Sequence, residues 1–147
     1  MSLSDLITAD RIRLGVSVTA HDDIIRLLAD LLAADRPGST EQVYEALVSL
    51  EQLGSTAIGK GVALPHAMIE EAIQPVAAMI TLRKPVDFEA TDDVPVDIVI
   101  GVLAPAQGSD VSVLGQIVKV LRKEEILRGI RTSRSAADVY AVLQATP

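Results

Sequence analysis

One of the two histidines in the chain has neighbours that suit phosphoryl chemistry. His66 follows the segment Gly54-Ser55-Thr56-Ala57-Ile58-Gly59-Lys60-Gly61 and the short run Val62-Ala63-Leu64-Pro65. Three glycines in eight residues predict a tight loop whose backbone N–H groups can converge on an anion. An imidazole can act as a nucleophile or a general base and titrates near neutral pH. With the Ser55 and Thr56 hydroxyls, the pattern indicates a cradle for a phosphoryl group on the imidazole.

Other kinds of active site fit the sequence poorly. The chain has no cysteine, which excludes a disulfide scaffold, a thiolate zinc site, an iron–sulfur cluster and a cysteine nucleophile. It contains neither a G-x-S-x-G elbow nor a G-x-x-x-x-G-K-[ST] loop. His21 lies 45 positions before His66, so no metal-ligand spacing links them, and we interpret His21 as a solvated residue at a helix start. We expect no metal and no cofactor.

Length and charge bound the remaining possibilities. With 147 residues, the chain has the size of one domain, and we predict a single domain over residues 1–147. Its net charge of −7 disfavours nucleic acid and anionic membranes as partners. No apolar stretch is long enough to span a bilayer, and the N-terminus lacks the basic and apolar pattern of a secretory signal. We therefore expect a cytoplasmic protein.

Hydrophobic periodicity predicts the elements that must position His66. Alternation predicts a strand over 10–18, and apolar runs predict buried strands at Val76–Leu82 and Ile98–Leu103. Val86, Phe88 and 94–96 are expected in a loop and edge segment between them. Five helices are predicted, at 21 to about 35, 39 to about 53, 110–121, 125–130 and 135–144. Strands and helices mixed in this way favour an α/β layered sheet.

The segment from Gly54 to His66 resembles the G-S-T-G-I-G-x-G-[IV]-A-[IL]-P-H signature of enzyme IIA domains of the phosphoenolpyruvate:sugar phosphotransferase system. The type is the fructose/mannitol one, which includes the nitrogen-regulatory IIA proteins. The segments Lys84-Pro85-Val86-Asp87-Phe88, Val94-Pro95-Val96-Asp97-Ile98-Val99 and Leu103-Ala104-Pro105 are similar to further parts of that pattern. The resemblance covers nearly the whole chain.

The resemblance implies an α/β fold in which helices sandwich a mixed β-sheet. It also implies that His66 accepts a phosphoryl group from the small phosphocarrier HPr or its nitrogen-branch homologue. In sugar-transporting relatives the group passes on to a IIB domain, whereas in nitrogen-type relatives the phosphorylation state switches binding to a regulatory target protein. The sequence contains no IIB or membrane segment, which favours the regulatory branch.

Two positions depart from the family pattern. Leu50 stands where the family usually has an arginine, in R-E-x-x-G-S-T, and Asp110 stands where it usually has a second active-site histidine. A phosphoryl group brings roughly −1.5 to −2 charges, which arginine or imidazolium would stabilise. Leu50 supplies no charge, and Asp110 would add a negative one or would orient or protonate His66. Lys60 could offset part of the repulsion.

Three interpretations therefore stay open: a working phosphocarrier, a phosphorylation-impaired paralogue that only binds proteins, and an unrelated binding module. Side chains of Leu50 and Asp110 that point away from His66 would favour the working phosphocarrier. A contact between Asp110 and His66 would favour the phosphorylation-impaired paralogue. We predict His66 as the acceptor, with Ser55, Thr56, Gly59, Lys60 and Gly61 around the phosphate and Leu50, Glu51 and Asp110 as modulators. Ser55 and Thr56 could instead make only local turn bonds.

The remaining candidates have plainer interpretations. Glu51 is expected to be a solvated helix residue or a structural partner of the loop. Phe88 and Met68 are assigned to packing against the core or to an apolar rim around His66, which would suit docking of a carrier protein.

Overall fold

The chain alternates helices and strands. A computed structural model describes residues 2–34, 40–69, 74–105 and 110–144, with 110–112 described by their backbone alone. Six helices lie in the described ranges: α1 (Leu3–Leu6), α2 (His21–Ala33), α3 (Thr40–Leu53), α4 (Asp110–Leu121), α5 (Glu124–Thr132) and α6 (Ala136–Gln144). The six strands are β1 (Ile12–Val16), β2 (Ala57–Gly59), β3 (Val62–Ala63), β4 (His66–Ile69), β5 (Val76–Val86) and β6 (Val96–Pro105). A 3₁₀ turn at Ala9–Arg11 precedes β1.

The strands form one mixed sheet in which β6 is central and pairs with three other strands. The order is β1-β5-β6-β3-β2; β1 pairs with β5 in parallel, and β5 pairs with β6 antiparallel. On the other side of β6, β3 and then β4 both pair with it in parallel. The β3–β4 interruption falls at Leu64 and Pro65, where proline supplies no N–H to a ladder. His66 is therefore the first residue of β4, directly after the interruption that separates β4 from β3.

Apolar side chains cover both faces of the sheet, because successive residues of a strand point to opposite sides. In β5, Ala78 and Ile80 join a buried cluster with the apolar faces of α2 and α3, while Ala77 and Met79 join a second cluster with the helices α1, α4, α5 and α6. The sheet is thus sandwiched by helices. This confirms the fold class that the resemblance implied.

The predicted elements are mostly present, with differences in extent. The helix starting at His21, the helix ending at Leu53 and the three C-terminal helices are confirmed within one or two residues of their predicted ends. The expectation that Val86 lies in a loop is wrong: β5 continues to Val86, whose pairing with Val96 resumes after an irregularity beyond Thr81. Strands β2 and β4 and helix α1 were not predicted, because three or four residues are too few to show a period.

No helix in the described ranges combines the length and the apolar character needed to cross a membrane. The predicted start of the second helix at Ser39 lies outside the described residues.

Candidate functional site

The backbone around His66 fixes one tautomer of its imidazole. The side chain is half-buried, and its Nδ1 lies 2.8 Å from the carbonyl oxygen of Leu64. A carbonyl oxygen can only accept, so Nδ1 is the donor, and in the neutral ring the lone pair is on Nε2. Within the described part of the chain, no hydrogen bond engages Nε2. The ring therefore presents Nε2 as a free nucleophilic or basic nitrogen.

His66 opens onto a cavity of about 440 Å³ with mainly apolar walls. The end of α3, the segment that follows it and the middle of α4 form these walls. The named residues are Leu50, Leu53, Gly54, Ser55, Thr56, Ala57, Ile58, Leu64, Leu114 and Val118. Apart from His66, none of these described residues has an ionisable side chain. The cavity can hold a compact group on Nε2, but its described walls bring no positive charge to it.

Of the two departures from the family pattern, Leu50 and Asp110, the structure describes the side chain of Leu50 alone. Leu50 is half-buried and lines the same cavity as His66, so the position expected to hold an arginine does border the site. Asp110 is the first residue of α4, and its side chain lies outside the described residues. The structure thus places an uncharged group beside His66 on the side of α3.

The two hydroxyl residues of the loop behave differently from each other. The Ser55 hydroxyl donates to the carbonyl of Phe88 and accepts from the Ala57 amide at 3.1 Å, which are local structural bonds. The Oγ1 atom of Thr56 is buried without a hydrogen bond of ordinary geometry, and Thr56 lines the cavity. The Thr56 hydroxyl instead lies near the Glu51 carboxylate and helps to lower its pKa.

The second half of the glycine-rich segment does not reach His66. Gly59, Lys60 and Gly61 form the tip of the β2–β3 hairpin, with φ of 97°, 58° and 79°, and do not line the cavity. The Lys60 ammonium lies 2.9 Å from Glu124 and 3.2 Å from the Arg122 carbonyl oxygen. This corrects the expectation that Lys60 offsets charge beside His66: the glycines provide the positive φ values of the turn, and the lysine bridges to α5.

His21 begins α2 as predicted and its side chain is 38% exposed, but it is not simply a solvated residue, because it has partners in the fold. Its Nε2 lies 3.0 Å from Oε1 of Glu51, and its ring packs on Phe88 with centroids 4.4 Å apart. Glu51 is a structural partner near the loop rather than a solvated residue, since only 10% of its side chain is exposed. The first turn of one helix and the last turn of another meet here, a pairing across 30 positions that no local pattern could indicate.

Opposing effects set the protonation of Glu51. Burial raises the pKa of its carboxyl group, but the hydrogen bond with His21 and the nearby Thr56 hydroxyl outweigh burial, so the pKa lies below the ordinary value of 4.5. Glu51 is therefore ionised near neutral pH, and its Oε2 atom is buried without a hydrogen bond of ordinary geometry.

Phe88 is buried in the core as predicted, whereas Met68 is half exposed, on the same face of β4 as His66.

Comparison with known proteins identifies the family to which a chain with this fold and this histidine belongs. Residues 5–146 match the family model described as phosphoenolpyruvate-dependent sugar phosphotransferase system, EIIA 2. The chain belongs to this family. The match spans both faces of the sheet and includes His66 with its cavity.

The relatives agree with the nitrogen-regulatory branch. A nitrogen regulatory protein of Bradyrhizobium diazoefficiens is 35% identical, with 100% of this chain and 97% of that protein covered. The crystal structure of the nitrogen regulatory protein IIA-Ntr of Neisseria meningitidis is 30% identical and superposes with a TM-score of 0.90, covering 95% of this chain and 97% of that one. This EIIA is thus similar to nitrogen regulatory proteins in sequence and fold.

A more distant neighbour shares the fold alone. The enzyme IIA for mannitol of Escherichia coli, solved in complex with phosphorylated enzyme IIB, superposes with a TM-score of 0.80 at 21% identity. The alignment covers 95% of this chain and 99% of that one.

Proposed function

We propose that this EIIA domain accepts a phosphoryl group on Nε2 of His66 from an HPr-type phosphocarrier, and that its phosphorylation state regulates a target protein. The observation that carries this proposal is the hydrogen bond from Nδ1 to the Leu64 carbonyl oxygen, 2.8 Å long. In the neutral ring this bond puts the lone pair on Nε2 and fixes the orientation of the imidazole, which is what a nucleophile for phosphorus requires. Membership of the EIIA 2 family supports the donor class.

In the proposed step, the P–N bond of the phosphorylated carrier breaks as a P–N bond forms at Nε2 of His66. The leaving carrier imidazole takes back its electron pair. No proton has to leave His66, since Nδ1–H stays on the ring and the Leu64 carbonyl oxygen stabilises the positive charge that the ring gains. Thr56 lines the same cavity, but its buried hydroxyl interacts with the Glu51 carboxylate, so we expect the donors that stabilise the phosphoryl group to come mainly from the carrier.

A second candidate function is a regulator that binds proteins without being phosphorylated. The Leu50 side chain on the cavity wall favours it, because an apolar residue there stabilises no phosphoryl charge. Transfer onward to a IIB domain is a third possibility, supported by the fold shared with a IIA domain that was solved with phosphorylated IIB. The nitrogen regulatory relatives make the regulatory role the better supported one.

Intact-mass spectrometry after incubation with enzyme I, a phosphocarrier and phosphoenolpyruvate tests the proposal. We expect a gain of about 80 Da, the mass added by one phosphoryl group, in the wild type and none in His66→Ala. The matched control is His21→Ala, which removes the only other histidine and should keep the gain. If wild type gains no mass while the carriers phosphorylate another substrate, the protein-binding function replaces the phosphocarrier one.

The Leu50→Arg variant separates the two functions further. A guanidinium on the cavity wall should raise the rate of phosphorylation about tenfold, the effect of one charge-assisted hydrogen bond. Ser49→Arg places the same charge on the neighbouring, exposed position of α3 and should leave the rate unchanged. Equal rates for wild type and Leu50→Arg would mean that charge at this position does not limit transfer.

A further inference from the structure

A series of contacts connects the buried carboxylate of Glu51 to the imidazole of His66. The hydroxyl and the backbone amide of Thr56 interact with the Glu51 carboxylate. The carbonyl oxygen of Thr56 accepts from the Leu64 amide at 2.9 Å, and the carbonyl oxygen of Leu64 accepts from Nδ1 of His66 at 2.8 Å. Thr56 and Leu64 therefore link Glu51 to the ring whose Nε2 the proposed function uses.

Glu51 is fixed at its own end of this series. Nine-tenths of its side chain is buried, and its Oε1 atom lies 3.0 Å from Nε2 of His21. Its carbonyl oxygen accepts from the Gly54 amide at 3.2 Å, just after the end of α3. Both the side chain and the backbone of Glu51 thus contact the segment that follows α3, which forms a wall of the His66 cavity.

The peptide group between Leu64 and Pro65 depends on its neighbours for its orientation. Proline has no N–H, so this peptide group offers an acceptor to His66 but has no donor of its own. The Leu64 amide donates to Thr56, and the Leu64 side chain is buried. The carbonyl oxygen of Pro65 accepts from the Val102 amide at 3.0 Å. The direction of the Leu64 carbonyl is therefore set by Thr56 on one side and by β6 on the other.

Glu51 acts on this arrangement by position rather than by polarisation. The amide and the carbonyl of Thr56 belong to different peptide groups, and so do those of Leu64, so no continuous set of polarised amides joins the carboxylate to the imidazole. A charged acceptor restricts Thr56 more strongly than a neutral one would. Burying a charge also costs free energy that a neutral side chain would avoid, which disfavours a merely space-filling role for Glu51.

These contacts give a role in phosphorylation to a residue outside the walls of the His66 cavity. We propose that Glu51 is a positioning residue for His66: through Thr56 it fixes the Leu64 carbonyl and so keeps the imidazole in the Nδ1–H tautomer. The inference deepens the proposed function and rests on it for the reaction. The effect on the imidazole itself can be measured without any phosphorylation.

The ¹⁵N chemical shifts of the His66 ring test this effect in the unphosphorylated full chain, with His66→Ala to assign the signals. At about pH 9 an ordinary histidine ring is neutral, and its two nitrogens then report the populations of the two tautomers. We expect mainly the Nδ1–H form in wild type and a ratio about fivefold lower in Glu51→Gln, the effect of weakening one hydrogen bond. Glu45→Gln, at an exposed position of the same helix, should keep the wild-type shifts.

Variants of Thr56 test the link between Glu51 and Leu64, and they decide the question even if Glu51→Gln does not fold. Thr56→Val removes the hydroxyl with little change of shape, so the ring signals should move in the same direction as in Glu51→Gln. Thr56→Ser restores the hydroxyl and should return the ring signals to their wild-type positions. Rescue by serine would separate the hydroxyl contact from a general loss of packing.

Transfer from a phosphorylated carrier provides the functional measurement. The kcat for phosphorylation of Glu51→Gln should fall about tenfold, because a displaced imidazole attacks less often in the productive geometry. The KM for the carrier should stay the same, since the buried carboxylate offers a partner almost no contact. Glu45→Gln should leave both constants unchanged.

Wild-type ring shifts in both Glu51→Gln and Thr56→Val would overturn the positioning role, and so would a raised KM at constant kcat. An unphosphorylated wild type would instead overturn the phosphocarrier function. In that case the ring shifts would still decide whether Glu51 keeps the imidazole in one tautomer, so the two failures are distinguishable.

Discussion

The Leu64 carbonyl and the Leu50 side chain act on His66 in opposite directions. The carbonyl accepts from Nδ1 at 2.8 Å and so favours attack by Nε2 on phosphorus. Leu50, on the cavity wall, leaves the charge of the product without a cation from α3. In the proposed transfer the nucleophile is well oriented and its product is weakly stabilised, so we expect the carrier's own basic groups to contribute more to the transfer.

The ion pair between His21 and Glu51 makes the free energy of unfolding depend on pH. Burial raises the pKa of the Glu51 carboxyl, but the interactions with His21 and Thr56 together outweigh burial and lower the pKa below 4.5. Because the native pKa is the lower one, the stabilisation by Glu51 is complete above about pH 4.5 and is lost as the pH falls through the native pKa. Urea unfolding should therefore show wild type losing stability more steeply than Glu51→Gln between about pH 5 and pH 3.

Glu45→Gln serves as the control for this pH dependence, because Glu45 is exposed on the same helix. Its urea midpoint should follow that of the wild type across the whole range. Parallel curves for wild type and Glu51→Gln would contradict the lowered pKa of Glu51.

Some residues of the site could be predicted from the sequence, and others could not. His66 stands out because its motif is local and contiguous. The pairing of His21 with Glu51 joins two helices across 30 positions, and only the packing of α2 against α3 brings them together. Lys60 was misjudged for the same reason, since nothing near it in the sequence indicates that Glu124 would hold its ammonium.

Among the elements, the β2–β3 hairpin has the most demanding backbone. Gly59, Lys60 and Gly61 all have positive φ, and Asp92 accepts from the Lys60 amide at 2.9 Å. Arg131 of α5 reaches the same turn: its Nη2 donates to the Lys60 carbonyl at 2.6 Å and to Asp97 at 2.8 Å. The turn is therefore the point where the helix layer is joined to the edge of the sheet.

Gly61→Ala tests this junction. Gly61 has φ of 79°, and an added Cβ would lie 2.7 Å from Nη2 of Arg131 and 3.0 Å from Oδ1 of Asp97. We expect the free energy of unfolding to fall by about 1–3 kcal/mol, from backbone strain and displacement of the ion pair. Urea denaturation measures the loss.

Gly115→Ala is the matched comparison, because Gly115 lies in the exposed face of α4 with open space around its Cα. Alanine there should stabilise the protein by about 0.5–1 kcal/mol through helix propensity. Equal effects of the two substitutions would show that the hairpin backbone is not constrained as described.

The predictability of the elements follows their length. Helix α2 repeats its apolar stripe over 13 residues, long enough for the period to be clear in the sequence. Strand β3 has two residues and β2 three, and they exist because neighbouring backbone groups pair with them. The continuation of β5 to Val86 depends on pairing with β6, which local sequence does not contain.

For the molecule as a whole, helices cover most of both faces of the sheet, but the face of β4 that carries His66 and Met68 stays partly exposed. The chain has a net charge of −7, yet the surface around His66 is apolar. Leu53 is 85% exposed at the end of α3, and Met68 is 48% exposed on the face of β4 that carries His66. Exposed apolar groups beside a reactive residue are typical of a protein docking surface.

Leu53→Glu tests whether this surface receives the phosphocarrier. A carboxylate in place of the exposed leucine should raise the KM for the carrier about tenfold, because it would be desolvated at the interface, and should change kcat little. The thermal midpoint should stay the same, since the Leu53 side chain contributes little to the core. Val94→Glu, at a position that is 41% exposed and does not line the His66 cavity, should leave KM unchanged. A lower kcat at constant KM, or equal effects of both substitutions, would place the docking surface elsewhere.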